Sequence, residues 1–283
     1  MSHPSSKSDH AILHAAVGRI DRKRDGVSDY RYLVRQLVRI DLVTEYRRSF
    51  LGLTWLILMP LVSVVIWILL NRAGVLEPGQ MDIPYPAYVL LSTSIWGFFS
   101  ELYKACAKIL ESNGRLLLMT PFPPQTFVVS ALIVHLIRFA IPFGLNIIVL
   151  LLFGVKFTWA ALLFPFALIP LLLLAAAIGL IASLLKIVAM DLSKLADEGI
   201  RLLMFLSPVV YSPKLEVGGL SFIIDINPLT YLISFPRELL TSGTFYRPGL
   251  FAICALASLL FFLFALRFFR LAEPRVRERL IAN

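Results

Sequence analysis

The chain divides into apolar blocks long enough to cross a bilayer, separated by short and mostly basic connectors. Leu53–Leu70 holds no charged residue in 18 positions and Phe251–Leu266 none in 16, while Thr126–Phe153 carries only His135 and Arg138 in 28. A helix needs about 20 residues to cross a hydrocarbon core ~30 Å thick. A chain built this way is dissolved mainly in lipid. The expected fold is an all-α integral membrane protein.

Composition points the same way, with 58% hydrophobic residues and a mean hydropathy of +0.81, which excludes an ordinary soluble domain. The net charge of +9 raises nucleic acid as a partner, but its placement argues against one. Most of the basic residues sit at the ends of apolar blocks, where charge orients a membrane protein and meets anionic lipid. The N-terminus is polar through Asp29 and lacks the apolar core of a secretory signal. Cys106 and Cys254 fall near opposite faces of the bilayer, ~30 Å apart, and a disulfide needs Cα atoms within ~7 Å.

Six spans are expected, at about 53–71, 85–103, 126–153, 159–185, 197–212 and 249–268. With the N-terminus inside, the cytoplasmic pieces hold 21 Lys and Arg and the outer loops five. That asymmetry places both termini in the cytoplasm. The fifth span is short, since Ile200–Tyr211 falls below a full crossing, but omitting it would strand the five arginines of 267–279 outside. Between spans 5 and 6, Leu220–Ile226 and Leu229–Leu240 are too short to cross and too apolar for a free loop. Short re-entrant helices dipping into the outer leaflet are expected there. Pro60, Pro142, Pro165, Pro170 and Pro208 lie inside spans, where each removes a backbone hydrogen bond and favours a kink.

The resulting organisation is a polar tail (1–28), an interface helix (29–48), a six-span domain (49–270) and a cytoplasmic tail (271–283). The six-span domain includes a cytoplasmic connector (104–125) and an outer segment (213–247). On a helical wheel of Asp29–Arg48, Leu33, Leu37, Ile40 and Thr44 share one narrow face. Arg31, Arg35 and Arg39 lie opposite, with Tyr46, which makes an amphipathic helix suited to the headgroup plane. The connector carries a turn signal at Glu111-Ser112-Asn113-Gly114. Arg138 is the charge set deepest in a span, sharing a face with His135; Glu101 is its candidate partner. Trp55, Trp67, Trp96, Tyr85, Tyr88, Trp159, Tyr211, Tyr231 and Tyr246 lie mostly near span ends, as in an interfacial belt. The sequence contains no G-x-x-x-x-G-K-[ST] phosphate loop, no H-E-x-x-H and no G-x-S-x-G. No repeat relates its two halves, as it does in many secondary transporters.

Several segments resemble the membrane subunit of type-2 ABC exporters for cell-surface polysaccharides such as O-antigen, capsule and teichoic acid. They are Tyr46-Arg47-Arg48-Ser49-Phe50-Leu51-Gly52 with Trp55 and Met59-Pro60-Leu61, then Asn113-Gly114 with Pro121-Phe122-Pro123. Ser207-Pro208-Val209-Val210-Tyr211, Asn227-Pro228-Leu229, and Arg237 before Leu239-Leu240 follow in order, so the likeness spans about residues 30 to 275. Relatives often carry Arg-Asp where this chain has Met190-Asp191.

The resemblance implies a non-enzymatic permease in the inner membrane, working as a homodimer with two copies of a separate cytoplasmic ATPase. That partner would bind ATP and Mg, with no cofactor in this chain. Coupling to the ATPase would fall to Arg35, Arg39, Tyr46, Glu111, Asn113, Gly114 and Arg115. The headgroup of a lipid-linked polysaccharide would meet Arg47 and Arg48. Trp55, Arg138, Pro208, Tyr211, Asn227, Pro228, Tyr231 and Arg237 would belong to the channel or its outer gate. Two other functions stay open: a type-2 exporter of a small hydrophobic drug or lipid, and an intramembrane enzyme acting on lipid-linked sugars through His135 and Arg138.

Overall fold

The structure is a computed structural model describing residues 26–48, 54–75, 79–113, 125–214 and 218–282. Every regular element among the described residues is helical. The helices are α1 (Gly26–Arg48), α2 (Trp55–Arg72), α3 (Tyr85–Ala107), α4 (Gln125–Leu152), α5 (Phe164–Ala167), α6 (Ile169–Val188), α7 (Met190–Leu203), α8 (Gly218–Ile226), α9 (Pro228–Thr241) and α10 (Pro248–Ala282). A short 3-10 turn, Trp159–Leu163, leads into α5. Gln125–Leu152, Trp159–Ile187 and Pro248–Ala272 are long and apolar enough to cross a membrane, and Ile57–Arg72 is a shorter apolar helix. The chain is a multi-pass membrane protein.

Helix α3 is the axis of the molecule. It packs against α2, α4, α6 and α9, and Val89, Leu91, Ile95, Phe99 and Leu102 are wholly enclosed. The tightest seam is with α6, whose Ala175, Ala176, Gly179 and Ala182 are buried. A Cβ on Gly179 would stand 2.6 Å from both the Cys106 Cβ and the Tyr103 carbonyl oxygen. Small residues let helix backbones approach closely where no hydrophobic effect pulls them together. On the other flank, rings lock α3 to α4 and α5: Phe98 to Phe139 at 4.6 Å, Phe139 to Phe143 at 5.9 Å, and Phe143 to Phe164 at 4.9 Å.

The outer helices are held more lightly. Val64 is the one buried side chain described on α2, whereas Met59, Val65, Ile66 and Leu69 are more than half exposed. Helix α10 lies along α6 and turns Ile253, Leu256, Leu260 and Phe264 outward, the pattern of a helix wetted by lipid. Helix α1 buries Leu33, Val34 and Leu37 and exposes Arg31, Arg35 and Arg39. Its apolar stripe meets α4, so protein receives it.

The fifth apolar segment differs from a regular span. Helix α7 runs from Met190 to Leu203, 14 residues or ~21 Å of helix, and turns replace helix from Met204 onward. Pro208 accounts for the break, because it lacks an N–H and pushes the preceding residue out of helical geometry. The segment nevertheless touches α3 at two levels. Tyr103 donates to Asp197 Oδ1 (2.7 Å) at one end, and Tyr88 donates to the Tyr211 carbonyl (2.6 Å) at the other, levels ~22 Å apart on a helix axis.

The interfacial belt expected from aromatic positions is only partly present. Trp159 is 88% exposed, but Trp96, Tyr88, Tyr211 and Tyr231 are interior. Helix α10 continues through Ala282 rather than ending at the membrane.

Candidate functional site

At the Tyr85 end of α3, three distant segments meet around Arg237. Its guanidinium is 2% exposed. It donates to the Pro208 carbonyl (2.8 Å), Ser92 Oγ (3.0 Å) and Ser234 Oγ (3.1 Å), and it sits 4.1 Å from the centroid of the Tyr88 ring. No carboxylate lies within ion-pair distance of it among the described residues. A buried cation is tolerated when hydrogen bonds and an aromatic face replace its water. Tyr88 in turn donates to the Tyr211 and Pro208 carbonyls at 2.6 and 3.3 Å.

Asn227 extends this hub. Its Oδ1 caps α9 by accepting from the Leu229 N–H (3.0 Å), with Pro228 in the first turn, an arrangement suited to a helix start. Its Nδ2 donates to the Leu206 carbonyl and Ser207 Oγ, both at 3.0 Å. Tyr231 donates to the Asp225 carbonyl (2.7 Å), and Arg247 pairs with the Asp225 carboxylate at 2.6 Å. Beside Arg237, burial pushes the Glu238 carboxyl above its ordinary range, against the pull of Arg237 and Lys214.

Toward the other end of α3, a cavity of about 460 Å³ opens between α2, α3 and α4. Its walls bring together Trp55 with Glu101, His135 and Arg138. The depth of Arg138 follows from helix register. Phe98 faces Phe139, and Asn146 donates to Ser94 Oγ at 2.8 Å, so Arg138 stands close to the level of Glu101. Glu101 pairs with Lys104 at 2.8 Å, one turn nearer the helix end. Arg138 is also the fourteenth of the 28 residues of α4.

Around the far side of α3 lies a second cavity of about 300 Å³, lined by Lys104, Lys108, Lys186 and Arg201 around the Tyr103–Asp197 bond. Lys186 also holds Glu111 at 3.0 Å, tying the connector to the end of α6. Asn113 Nδ2 bonds back to the Ile109 carbonyl at 3.1 Å. The described cavities and titratable groups include no cluster that could hold a metal ion.

The residues singled out from sequence thus fall into separate places. Pro208, Tyr211, Asn227, Tyr231 and Arg237 converge in the hub at the Tyr85 end of α3, all buried, while Pro228 is exposed beside them. Trp55 and Arg138 share the cavity at the other end. Arg35 and Arg39 project from α1, and Glu111 and Asn113 lie in a short helical stretch at 109–113 that follows α3. Gly114, Arg115 and the side chains of Tyr46, Arg47 and Arg48 lie outside the described residues. Sequence reasoning missed Ser92, Ser234 and Asp225, and assigned Tyr88 to the membrane interface. Ser92 and Arg237 are 145 residues apart, and no local pattern links them.

The family model "ABC-2 type transporter" matches residues 32–241, a stretch that includes α2 to α9 and both ends of α3. Among similar proteins is the O-antigen export system permease protein RfbA of Myxococcus xanthus, 26% identical over 208 residues, covering 72% of this chain and 78% of that one. Two proteins of the same name from Klebsiella pneumoniae are 24% and 25% identical, each over 75% of this chain and over 83% and 82% of their own lengths. With the family's match running from the interface helix to the end of the Arg237 helix, this chain belongs to the ABC-2 type transporter family.

Proposed function

We propose that the chain is the membrane subunit of an ATP-driven exporter whose cargo is a lipid-linked polysaccharide of the O-antigen type. The observation that carries this reading is the family match over 32–241 together with the export permease names of its relatives. The sequence holds no phosphate loop, so hydrolysis belongs to two copies of a separate ATPase, which would bind ATP and Mg. In this reading the Lys104 end of α3 faces the cytoplasm, because Lys104, Lys108, Lys186 and Arg201 gather there. Six crossings follow, the fifth completed by the turns after α7, with both termini inside.

Two copies of the chain would form the path, with the exposed apolar side of α2 turned to the partner copy or to lipid. Helix α1 and the connector at Glu111 and Asn113 would receive the ATPase's stroke. The Glu111–Lys186 pair carries it to α6 and so to the seam with α3. At the outer end, α8 and α9 form the gate, and Arg237 is its latch rather than a surface the glycan touches. Arg47 and Arg48 remain the proposed contact for headgroups arriving at the interface.

The test is reconstitution with the co-expressed ATPase in proteoliposomes, comparing ATP hydrolysis with and without lipid-linked glycan. The glycan is expected to stimulate turnover, and the chain alone to have none. Hydrolysis that responds to small hydrophobic drugs but not to glycan would shift the cargo to those compounds.

A further inference from the structure

Helix α7 is held from one side. It packs against α6, with Ser193 and Ile200 buried, while Asp191, Leu195, Glu198 and Leu202 stand exposed. Among the described residues, one side-chain hydrogen bond joins it to α3, Tyr103 donating to Asp197 Oδ1 at 2.7 Å. We propose that α7 is a movable arm, hinged at Ala189 and at the turns after Leu203, and that the Tyr103–Asp197 hydrogen bond is the latch that holds it to α3.

The first hinge is a single residue. Helix α6 ends at Val188 and α7 begins at Met190, and Ala189 between them is extended, with φ −150° and ψ 101°. A change in those two dihedrals re-aims the whole of α7, as hinges at the ends of elements do. At the other end the chain leaves helical geometry. Phe205 N–H donates to the Leu202 carbonyl (3.0 Å) and Ser207 N–H to the Met204 carbonyl (3.4 Å), the tighter turns that often mark a hinge. These turns separate α7 from Pro208 and the buried hub beyond it.

The arm also has room to move. Between α7 and α3 lies the cavity of about 300 Å³, where Lys104, Lys108, Lys186 and Arg201 face the single carboxylate of the lining, Asp197. Charged walls of this kind hold water rather than each other, so displacing α7 breaks little apolar packing. The latch is a charge-assisted bond, made by a Tyr103 that is 1% exposed. A lever reaches the first hinge as well: Lys186, one helical turn before Ala189, pairs with Glu111 at 3.0 Å. In the exporter reading, on which this last step rests, the ATPase pushes on the stretch that holds Glu111, and its stroke arrives at Ala189 through that pair.

The test uses the full-length chain in nanodiscs carrying Ile200→Cys, a buried position in the cavity wall, and a membrane-impermeant maleimide. Peptide mass spectrometry reads position 200 apart from Cys106 and Cys254. Tyr103→Phe keeps the ring and removes the O–H, and is expected to raise the labelling rate at position 200 about tenfold or more. Asp197→Asn retains an acceptor oxygen without the charge and should fall between the two, which keeps the latch testable if Tyr103→Phe fails to fold. Val209→Cys, buried beyond the second hinge, should stay protected in each background.

Equal rates at position 200 in wild type, Tyr103→Phe and Asp197→Asn overturn the proposal. So does deprotection of Val209→Cys to the same extent, which means general loosening and not a moving arm. With the co-expressed ATPase present, a non-hydrolysable ATP analogue is expected to speed labelling of Ile200→Cys. Glu111→Gln should abolish that response and leave the effect of Tyr103→Phe intact. A chain that recruits no ATPase would remove the exporter reading and leave the latch standing, since the nucleotide-free rates do not depend on a partner.

Discussion

Arg237 and Tyr88 form a single unit across two helices. The guanidinium lies 4.1 Å from the ring centroid, and the ring's hydroxyl donates to the Tyr211 carbonyl at 2.6 Å. One end of this pair is fixed to α9, the other to α3, and the turn around Pro208 is held between them. Separating α9 from α3 therefore requires breaking hydrogen bonds to a buried charge, each worth ~1.5–3 kcal/mol.

Arg237→Lys should loosen this latch while keeping the charge, because a single ammonium nitrogen cannot hold Ser92 and Pro208 and also reach Ser234, which the guanidinium fork bonds through its second nitrogen. A cysteine at Val209, buried in the native chain, is expected to react with a membrane-impermeant maleimide in the Arg237→Lys background and to resist it otherwise. Equal protection in both backgrounds would show that the hub is held without Arg237.

Asn227 serves α9 and the Ser207 turn at once, so Asn227→Ala should cost more than an isolated cap, which is worth about 1 kcal/mol. About 2 kcal/mol is expected, with the two bonds from Nδ2 adding to the cap. Asn227→Asp keeps the cap but lacks the amide donors, and should recover only part of the loss. A thermal melt of the three purified proteins in the same detergent separates these contributions.

Gly179→Ala should separate α3 from α6, since the added methyl meets a backbone carbonyl and a Cβ rather than the tip of a flexible side chain. Overpacking of this kind costs ~1–3 kcal/mol. Reduced melting temperature and accelerated proteolysis are expected, while Gly97→Ala, whose Cβ meets nothing within 4 Å, should be close to neutral.

Glu238 gives a pH signature. Its carboxyl is held above the ordinary range by burial, in spite of Arg237 and Lys214, so the folded chain binds that proton more tightly than the unfolded one. The associated stability is complete below the unfolded value of about 4.3 and is lost as pH rises through the raised value. Glu238→Gln, which imitates the protonated form, is therefore expected to melt higher than wild type at pH 8 and alongside it near pH 4. A variant that melts lower at pH 8 would mean the carboxylate has a use that burial does not reveal.

The apolar blocks located most helices to within a few residues, because length and charge depletion are local properties. Burial was less legible. Tyr88, Trp96, Tyr211 and Tyr231 have the composition and placement of an interfacial belt, and only contacts between distant segments show that they face inward. Helix α7 was hidden for a different reason. Asp191, Lys194, Asp197, Glu198 and Arg201 give most of it the composition of a connector, yet these residues lie on a helix that packs against α6. The hub around Arg237 was visible as motifs but not as a cluster, since its hydrogen bonds join residues 29 and 145 positions apart.

Helix α10 has 35 residues and so measures ~52 Å along its axis, while the hydrocarbon layer takes up ~30 Å. The remainder emerges as a rigid strut rather than a slack tether. A fluorophore fixed beyond Ala282 would consequently swing with the tilt of that helix, turning the end of the chain into a pointer for the attitude of the whole bundle.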